Sequence, residues 1–298
     1  MDRTIHGVFF MKYTIGVDLG GTNIRAGLVL NNKIIKKTEV KTEASKGKNT
    51  VIKNLVKAVN NVMTKDVVGI GIGSPGPLDY RKGLIIRTKN IPLKKVNLKK
   101  LLEKKFKIPV VVDNDANCFT LGEALYGSGK NYDCVIGITI GTGVGGGIIV
   151  DKEIFHGRMN AGELGHTTIK FDGIKCNCGN IGCLEEYVSA RGIMRIVKGL
   201  NAKTPLDVYN LALKGNKKAT KVFEKMGFYL GIAVTNFVNI FDPDIIIVGG
   251  KISNAWKFFS KSMKKTIKKR CVVNKNPKIV KSKLKHAAIL GAASLVKR

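Results

Sequence analysis

The sequence predicts an α/β protein of two similar mixed-sheet domains, and three observations carry that prediction. An apolar strand, a glycine turn with a hydroxyl and a second apolar strand occur together twice, at residues 15–29 and 136–150. Gly16, Gly20 and Gly27 of the first copy align with Gly137, Gly141 and Gly147 of the second, with a one-residue slip inside the turn. Each hairpin is followed by segments of helical spacing and a further buried strand, which is how mixed α/β layers are built.

In the first half, residues 34–40 read as a third strand after the hairpin, and 50–63 carry Val, Ile and Leu at helical spacing. Residues 67–72 form a buried strand that runs into the Ser74-Pro-Gly-Pro77 turn, and 108–112 another that ends in Asp113, Asn114 and Asp115. A helix is expected from Ala116 to about Tyr126, and the glycine-rich 127–131 reads as a hinge between the halves. The second half repeats the scheme: helices near 184–197, 205–213 and 219–241, a strand at 245–248, and a basic amphipathic helix at 256–270. Residues 286–295 read as a short Ala-rich helix returning to the first domain. The expected domains are therefore 11–115 with 286–298, and 116–285, the larger, with a cleft between them as the ligand site.

With 298 residues and 44% hydrophobic content the chain can bury a sizeable core, which excludes a disordered protein. Its longest uncharged apolar run, 135–150, is short and broken by six glycines, so no transmembrane helix is expected. The first ten residues have too short an apolar core for a signal peptide, and Met11 is a candidate start; a cytoplasmic protein is expected. The 52 Lys and Arg against 21 Asp and Glu give a net charge of +31. These cations are spread over helices and loops with no recognition motif, so they read as solvated faces that attract anionic substrates rather than as a specific nucleic-acid surface.

Each turn of the repeated hairpin exposes backbone N–H groups that glycine lets approach an anion, and Thr22 and Thr142 add hydroxyls. One copy could be merely a glycine-loosened hairpin; two copies suit two walls holding one polyphosphate. Gly141, Gly143 and Gly146 also satisfy G-x-G-x-x-G, but a strand follows where a dinucleotide fingerprint needs a helix.

His166, Cys176, Cys178 and Cys183 form H-x9-C-x-C-x4-C, three thiolates and an imidazole, the closed donor set of structural zinc. Cysteines one residue apart bridge poorly, which disfavours disulfides. A closed shell leaves no position for reacting water, so this metal is expected to hold a loop and, through its neighbours, to orient Glu163 and Glu185. Cys118, Cys134 and Cys271 read as core thiols.

Asp113, Asn114 and Asp115 end a strand where α/β sheets place reactive groups, and a carboxylate there can take a proton from an attacking hydroxyl. Capping of the helix from Ala116 competes for both aspartates, and spacing does not decide which is the base. Asp18, inside an apolar strand just before the first glycine turn, needs a cation: the Mg²⁺ of a nucleotide, or a partner Lys or Arg.

Asp18-Leu-Gly-Gly-Thr-Asn23, Pro75-Gly-Pro77, Asn114-Asp-Ala-Asn117, Gly141-Thr-Gly-Val-Gly-Gly146, Glu163-Leu-Gly-His166, the 176–185 cysteine segment and the 244–250 segment together resemble the sugar kinases of the ROK family. The resemblance runs from Tyr13 onward. It implies the actin-like ATPase (ribonuclease H-like) fold, two mixed-sheet domains around a central cleft, and phosphorylation of a hexose by MgATP, glucose to glucose 6-phosphate first. It implies Asp115 as general base. Pro75, Gly76, Asn90, Asn114, Asp115, Glu163, His166 and Glu185 would surround the sugar, with His166 also ligating zinc through its other nitrogen. Gly20, Gly21, Thr22, Asn23, Gly141, Thr142 and Gly143 would hold phosphates, Gly249 and Gly250 would approach the adenosine, and Asp18 would serve Mg²⁺. A homodimer or homotetramer is implied as well.

Within the resemblance, kinases for N-acetylglucosamine, N-acetylmannosamine or fructose are the nearest alternatives. A sugar-sensing transcriptional regulator is the remote one. About twelve residues precede the first strand, too few for the helix-turn-helix of the family's repressors.

Overall fold

The computed structural model describes residues 12–88 and 90–296; Met11 lies outside them. Two compact units emerge, one running to Cys118 and resuming at Ala288, the other spanning Phe119–Ala287.

The first unit opens with β1 (Tyr13–Leu19), β2 (Asn23–Leu30) and β3 (Lys33–Lys41), an antiparallel meander, followed by α1 (Lys48–Asn60) and β4 (Val67–Ser74). Three short strands, β5 (Leu78–Asp79), β6 (Leu84–Arg87) and β7 (Lys94–Asn97), form a separate small sheet. Next come α2 (Leu98–Phe106) and β8 (Val110–Asn114). The main sheet has the order β3-β2-β1-β4-β8, with β4 parallel to both β1 and β8. Buried Val, Ile and Leu fill β1 and β4, as a sheet covered on both faces requires.

Helix α3 (Asp115–Tyr126) contains the division between the units, which falls between Cys118 and Phe119 and not at 115/116. The second unit then lays down β9 (Cys134–Ile140), β10 (Val144–Val150) and β11 (Glu153–Ile154), α4 (Glu185–Val188), α5 (Ala190–Ile196), α6 (Pro205–Leu213), α7 (Lys217–Phe241), β12 (Ile245–Gly249), α8 (Trp256–Arg270) and β13 (Ile279–Lys281). Its sheet order is β11-β10-β9-β12-β13, the first unit's topology strand for strand. The duplicated three-antiparallel-plus-two-parallel sheet is the actin-like ATPase fold. β1 and β9 even share their burial position by position, half-buried only at the first and sixth residues.

The repeated mid-strand glycine has a packing reason. The last helix, α9 (Ala287–Leu295), lies on the first sheet so closely that a Cβ on Gly16 would stand 1.9 Å from the Ile289 carbonyl oxygen, and one on Gly71 1.7 Å from that of Ala292. In the second unit a Cβ on Gly137 would stand 2.1 Å from Thr120 Oγ1 on α3. Only glycine permits such approach.

Three expectations are corrected. Residues 127–131 are not a hinge between halves: they lie inside the second unit, where the buried Glu123 accepts from the N–H groups of Gly127 and Gly129 through its carbonyl and of Ser128 through its carboxylate. The 184–197 helix is broken at Ser189, whose extended backbone ends α4 and whose hydroxyl caps α5 at Gly192 N–H. Cys118 and Cys271 are core thiols, but Cys134 is only half-buried because it starts β9 beside the loop carrying Asp244. No helix among the described residues is long and apolar enough to cross a membrane.

Candidate active site

In the first unit the parallel register carries Asp18 to Gly73 and Gly73 to Asp113, so the two carboxylates stand level at the C-terminal ends of β1 and β8, the strands on either side of β4. Cys118, fully buried beneath them, is pushed well above the ordinary thiol range, first by burial and then by the charges of Asp113, Asp115 and Asp18. All three carboxylates therefore lie near enough to act on the Cys118 thiol.

The two aspartates that spacing left equivalent differ in what they hold. Asp113 is buried, and one of its oxygens accepts from Asn114 N–H at 2.7 Å and from Asn117 Nδ2 at 2.9 Å. The capping expected of an aspartate is performed by Asn114, whose Oδ1 accepts from the N–H of Ala116 at 2.8 Å and of Asn117 at 3.3 Å. Asp115 is half-buried in the first turn of α3, accepting from Ala116 N–H at 2.8 Å. Its negative charge sits at the positive end of the helix. The Asn114 amide nitrogen lies against the Pro75–Gly76 turn, 3.4 Å from where a Gly76 Cβ would stand.

The first glycine turn is closed by Gly20 N–H donating to Asn23 O at 3.1 Å, and it is braced from β3's end by Thr42. Thr42 Oγ1 donates to Gly20 O at 2.6 Å, and Thr42 N–H to Thr22 O at 2.9 Å. Gly21 faces Asn90, so a predicted phosphate residue and a predicted sugar residue are neighbours. The Asn23 amide donates to Glu39 at 2.6 Å. Asp18 pairs with Arg25 at 3.4 Å, whereas Arg25 makes its shorter bond, 2.7 Å, to Glu39. The carboxylate thus has the partner arginine that sequence offered as one alternative, held mainly by another acid.

In the second unit the matching turn is closed by Gly141 N–H donating to Gly143 O at 2.9 Å. Thr142 is exposed at its tip, and Gly141 opens onto unfilled space. Gly249 is buried, its Cα pressed on the Phe119 ring, while Gly250 is exposed with φ 82° against the Ile140 backbone. Both glycines have protein contacts that demand them; of the two, Gly250 remains accessible.

His166, Cys176, Cys178 and Cys183 converge with all four donor atoms within 4.8 Å of one another. His166 Nδ1 lies 3.8 Å from Cys176 Sγ, and the sulfurs of Cys178 and Cys183 are 3.6 Å apart. A tetrahedral zinc with metal–sulfur bonds of ~2.3 Å has ligand edges of about 3.8 Å, so the donor set fits that ion. Burial and the neighbouring thiols push Cys183 up to about 12, which makes a cation the natural means of holding these groups as thiolates. Glu163 precedes this loop, and burial raises its carboxyl, opposed by His166 and reinforced by the charge of Glu185. Beside the cluster, buried Glu186 is claimed by Arg191 and Arg195.

A model of the ROK family matches residues 14–298. The chain belongs to the ROK family. The glucokinase of Halalkalibacterium halodurans is 36% identical over 278 residues, covering 85% of this chain and 84% of that protein. The xylose repressor of Caldicellulosiruptor bescii is 32% identical, with 95% of this chain lying on 77% of the repressor. The crystal structure of a ROK family glucokinase from Streptomyces griseus in complex with glucose and AMPPNP matches with a TM-score of 0.84 at 30% identity, covering 96% of this chain and 99% of that one.

Within this ROK chain the braces of the two turns escaped sequence reading. Thr42 follows a lysine-rich strand that gives no sign of it, and the Ala190 N–H that donates to Gly141 O at 2.9 Å is a backbone group with no side-chain signal at all. Glu39, partner of both Asn23 and Arg25, could have been found: β3 was expected, and a lone acid among lysines on the strand next to Asp18's hairpin is such a signal.

Proposed function

We propose that this ROK chain is an ATP-dependent sugar kinase that transfers the γ-phosphoryl group of MgATP to a hexose, glucose first, at its 6-hydroxyl. The division of labour at residues 113–115 carries the proposal: buried Asp113 accepts two internal hydrogen bonds, the Asn114 side-chain oxygen caps α3, and Asp115 is the half-buried carboxylate at the head of that helix. In this reading Asp115 takes the hydroxyl proton as the sugar oxygen bonds to the γ-phosphorus and the bond to the β–γ bridging oxygen breaks, releasing ADP. The N–H groups and hydroxyls of residues 20–23 and 141–143 receive the phosphates. Magnesium would neutralise phosphate charge, with Asp18 as the residue that serves it; the long Asp18–Arg25 contact is compatible with that role.

Asn90, Asn114, Glu163, His166 and Glu185, with the Pro75–Gly76 turn, supply the polar groups expected around a sugar. Zinc held by His166, Cys176, Cys178 and Cys183 would order the loop that carries three of them. A relative at 35% identity, the N-acetyl-D-glucosamine kinase of Photobacterium profundum, makes amino-sugar turnover the competing specificity.

Purified protein with MgATP and a panel of glucose, mannose, fructose, N-acetylglucosamine and N-acetylmannosamine tests this directly by sugar-dependent ADP release. Glucose is expected to give the highest kcat/KM. Faster turnover of an N-acetylated sugar would reassign the substrate, and a sugar that binds without turnover would favour the sensing role of the repressor relatives.

A further inference from the structure

Glu185 is read above as a sugar ligand, yet its carboxylate is attached to the other substrate's turn. Glu185 Oε2 accepts from Val144 N–H at 3.0 Å, and the residue is almost fully buried. A Cβ placed on Gly143 would stand 2.5 Å from that same oxygen, so the turn is glycine where the carboxylate presses on it. Five residues further on, Ala190 N–H donates to Gly141 O at 2.9 Å, at the other side of the turn. The 185–190 segment thus grips residues 141–144 at both ends. It is fixed in turn by Leu184 N–H donating to Thr167 O at 2.9 Å and by the Ser189 cap of α5. In the first unit the same two-point bracing of residues 20–22 is done by Thr42 through its hydroxyl and its N–H.

We propose that Glu185 is a positioning residue for the second phosphate turn, setting the N–H groups of Thr142 and Gly143 for the nucleotide as well as serving the sugar. The proposal rests on the reading of residues 141–143 as phosphate-binding. The interaction needs an acceptor oxygen rather than a charge: a glutamine oxygen can accept from Val144 N–H, and an alanine cannot. A role confined to sugar binding makes no such distinction on the nucleotide side.

The test is calorimetric titration of the full chain with the magnesium complex of a non-hydrolysable ATP analogue, in the absence of sugar. Glu185→Ala is expected to weaken binding about tenfold, the loss of one hydrogen bond, while Glu185→Gln stays near wild type. Gly143→Ala, which drives a methyl into Oε2, is expected to weaken it as well. If Glu185→Ala does not fold, Glu185→Gln and Gly143→Ala still decide: a strong loss in the first or none in the second overturns the proposal. Wild-type nucleotide affinity in folded Glu185→Ala, with only the sugar KM raised, overturns it too. Failure of the wild-type chain to bind the analogue would instead overturn the phosphate-turn reading beneath it.

Discussion

Asp113 and Asp115 are two positions apart and carry the same functional group, but their surroundings separate them. One Asp113 oxygen accepts from the half-buried Asn114 N–H and from the buried Asn117 amide, so its removal takes the acceptor from both donors. Asp113→Ala is expected to cost about 1–3 kcal/mol of stability in denaturant titrations, with kcat falling far less than for substitution of Asp115. A kcat loss as large as that of Asp115→Asn without a change in stability would contradict the assignment. The pair also marks a limit of sequence reading. The Asp-Asn-Asp run announces a strand end with reactive or capping groups, but which oxygen meets which N–H depends on the angle at which α3 leaves β8. That angle is fixed by packing, for instance by Gly73 against Cys118 and the Asp115 Cα, and leaves no local pattern.

At the scale of elements, the metal loop and the repeated hairpin were readable for the same reason: each depends on residue types at short spacing. Three cysteines and a histidine within eighteen residues converge because Gly179 and Gly182 adopt the positive φ values, 101° and 73°, that bend the chain back on itself. Metal analysis is expected to find one zinc per chain, and removal by a strong chelator is expected to raise the sugar KM about 10- to 100-fold, with recovery on adding zinc. Metal-free protein that turns over sugar unchanged would contradict a loop-ordering role. The small β5-β6-β7 sheet was not readable. Its strands are two to four residues long, and β7 reads Lys-Lys-Val-Asn, so neither length nor alternation distinguishes it from loop. The boundary at Ser189 was hidden for another reason: apolar periodicity continues across it, and only a cap marks the break.

At the scale of the whole molecule, duplication made the fold legible. Two copies of one hairpin, each leading to helices and a buried parallel strand, become two sheets of identical topology. The mid-strand glycines are places where helices rest: Gly16 and Gly71 under α9, Gly137 under α3. Of the turn glycines that follow, Gly141 keeps an open face, whereas Gly21 meets Asn90 and Gly143 meets Glu185. Long-range approach of this kind involves partners more than two hundred residues apart in the chain, as with Gly16 and Ile289, and no window of sequence contains both. Part of the net charge of +31 lies on basic helix faces such as that of α8, whose Lys and Arg are exposed while Phe259, Met263 and Ile267 are buried.

The central claim is that the molecule is a sugar kinase whose base is Asp115. Steady-state glucose-dependent ADP formation by the wild type and by Asp115→Asn, with melting curves for both, tests it most directly. Robust wild-type turnover is expected, with kcat in the folded variant lowered by about 10²- to 10⁴-fold. A folded Asp115→Asn enzyme that phosphorylates glucose at the wild-type rate would contradict the account.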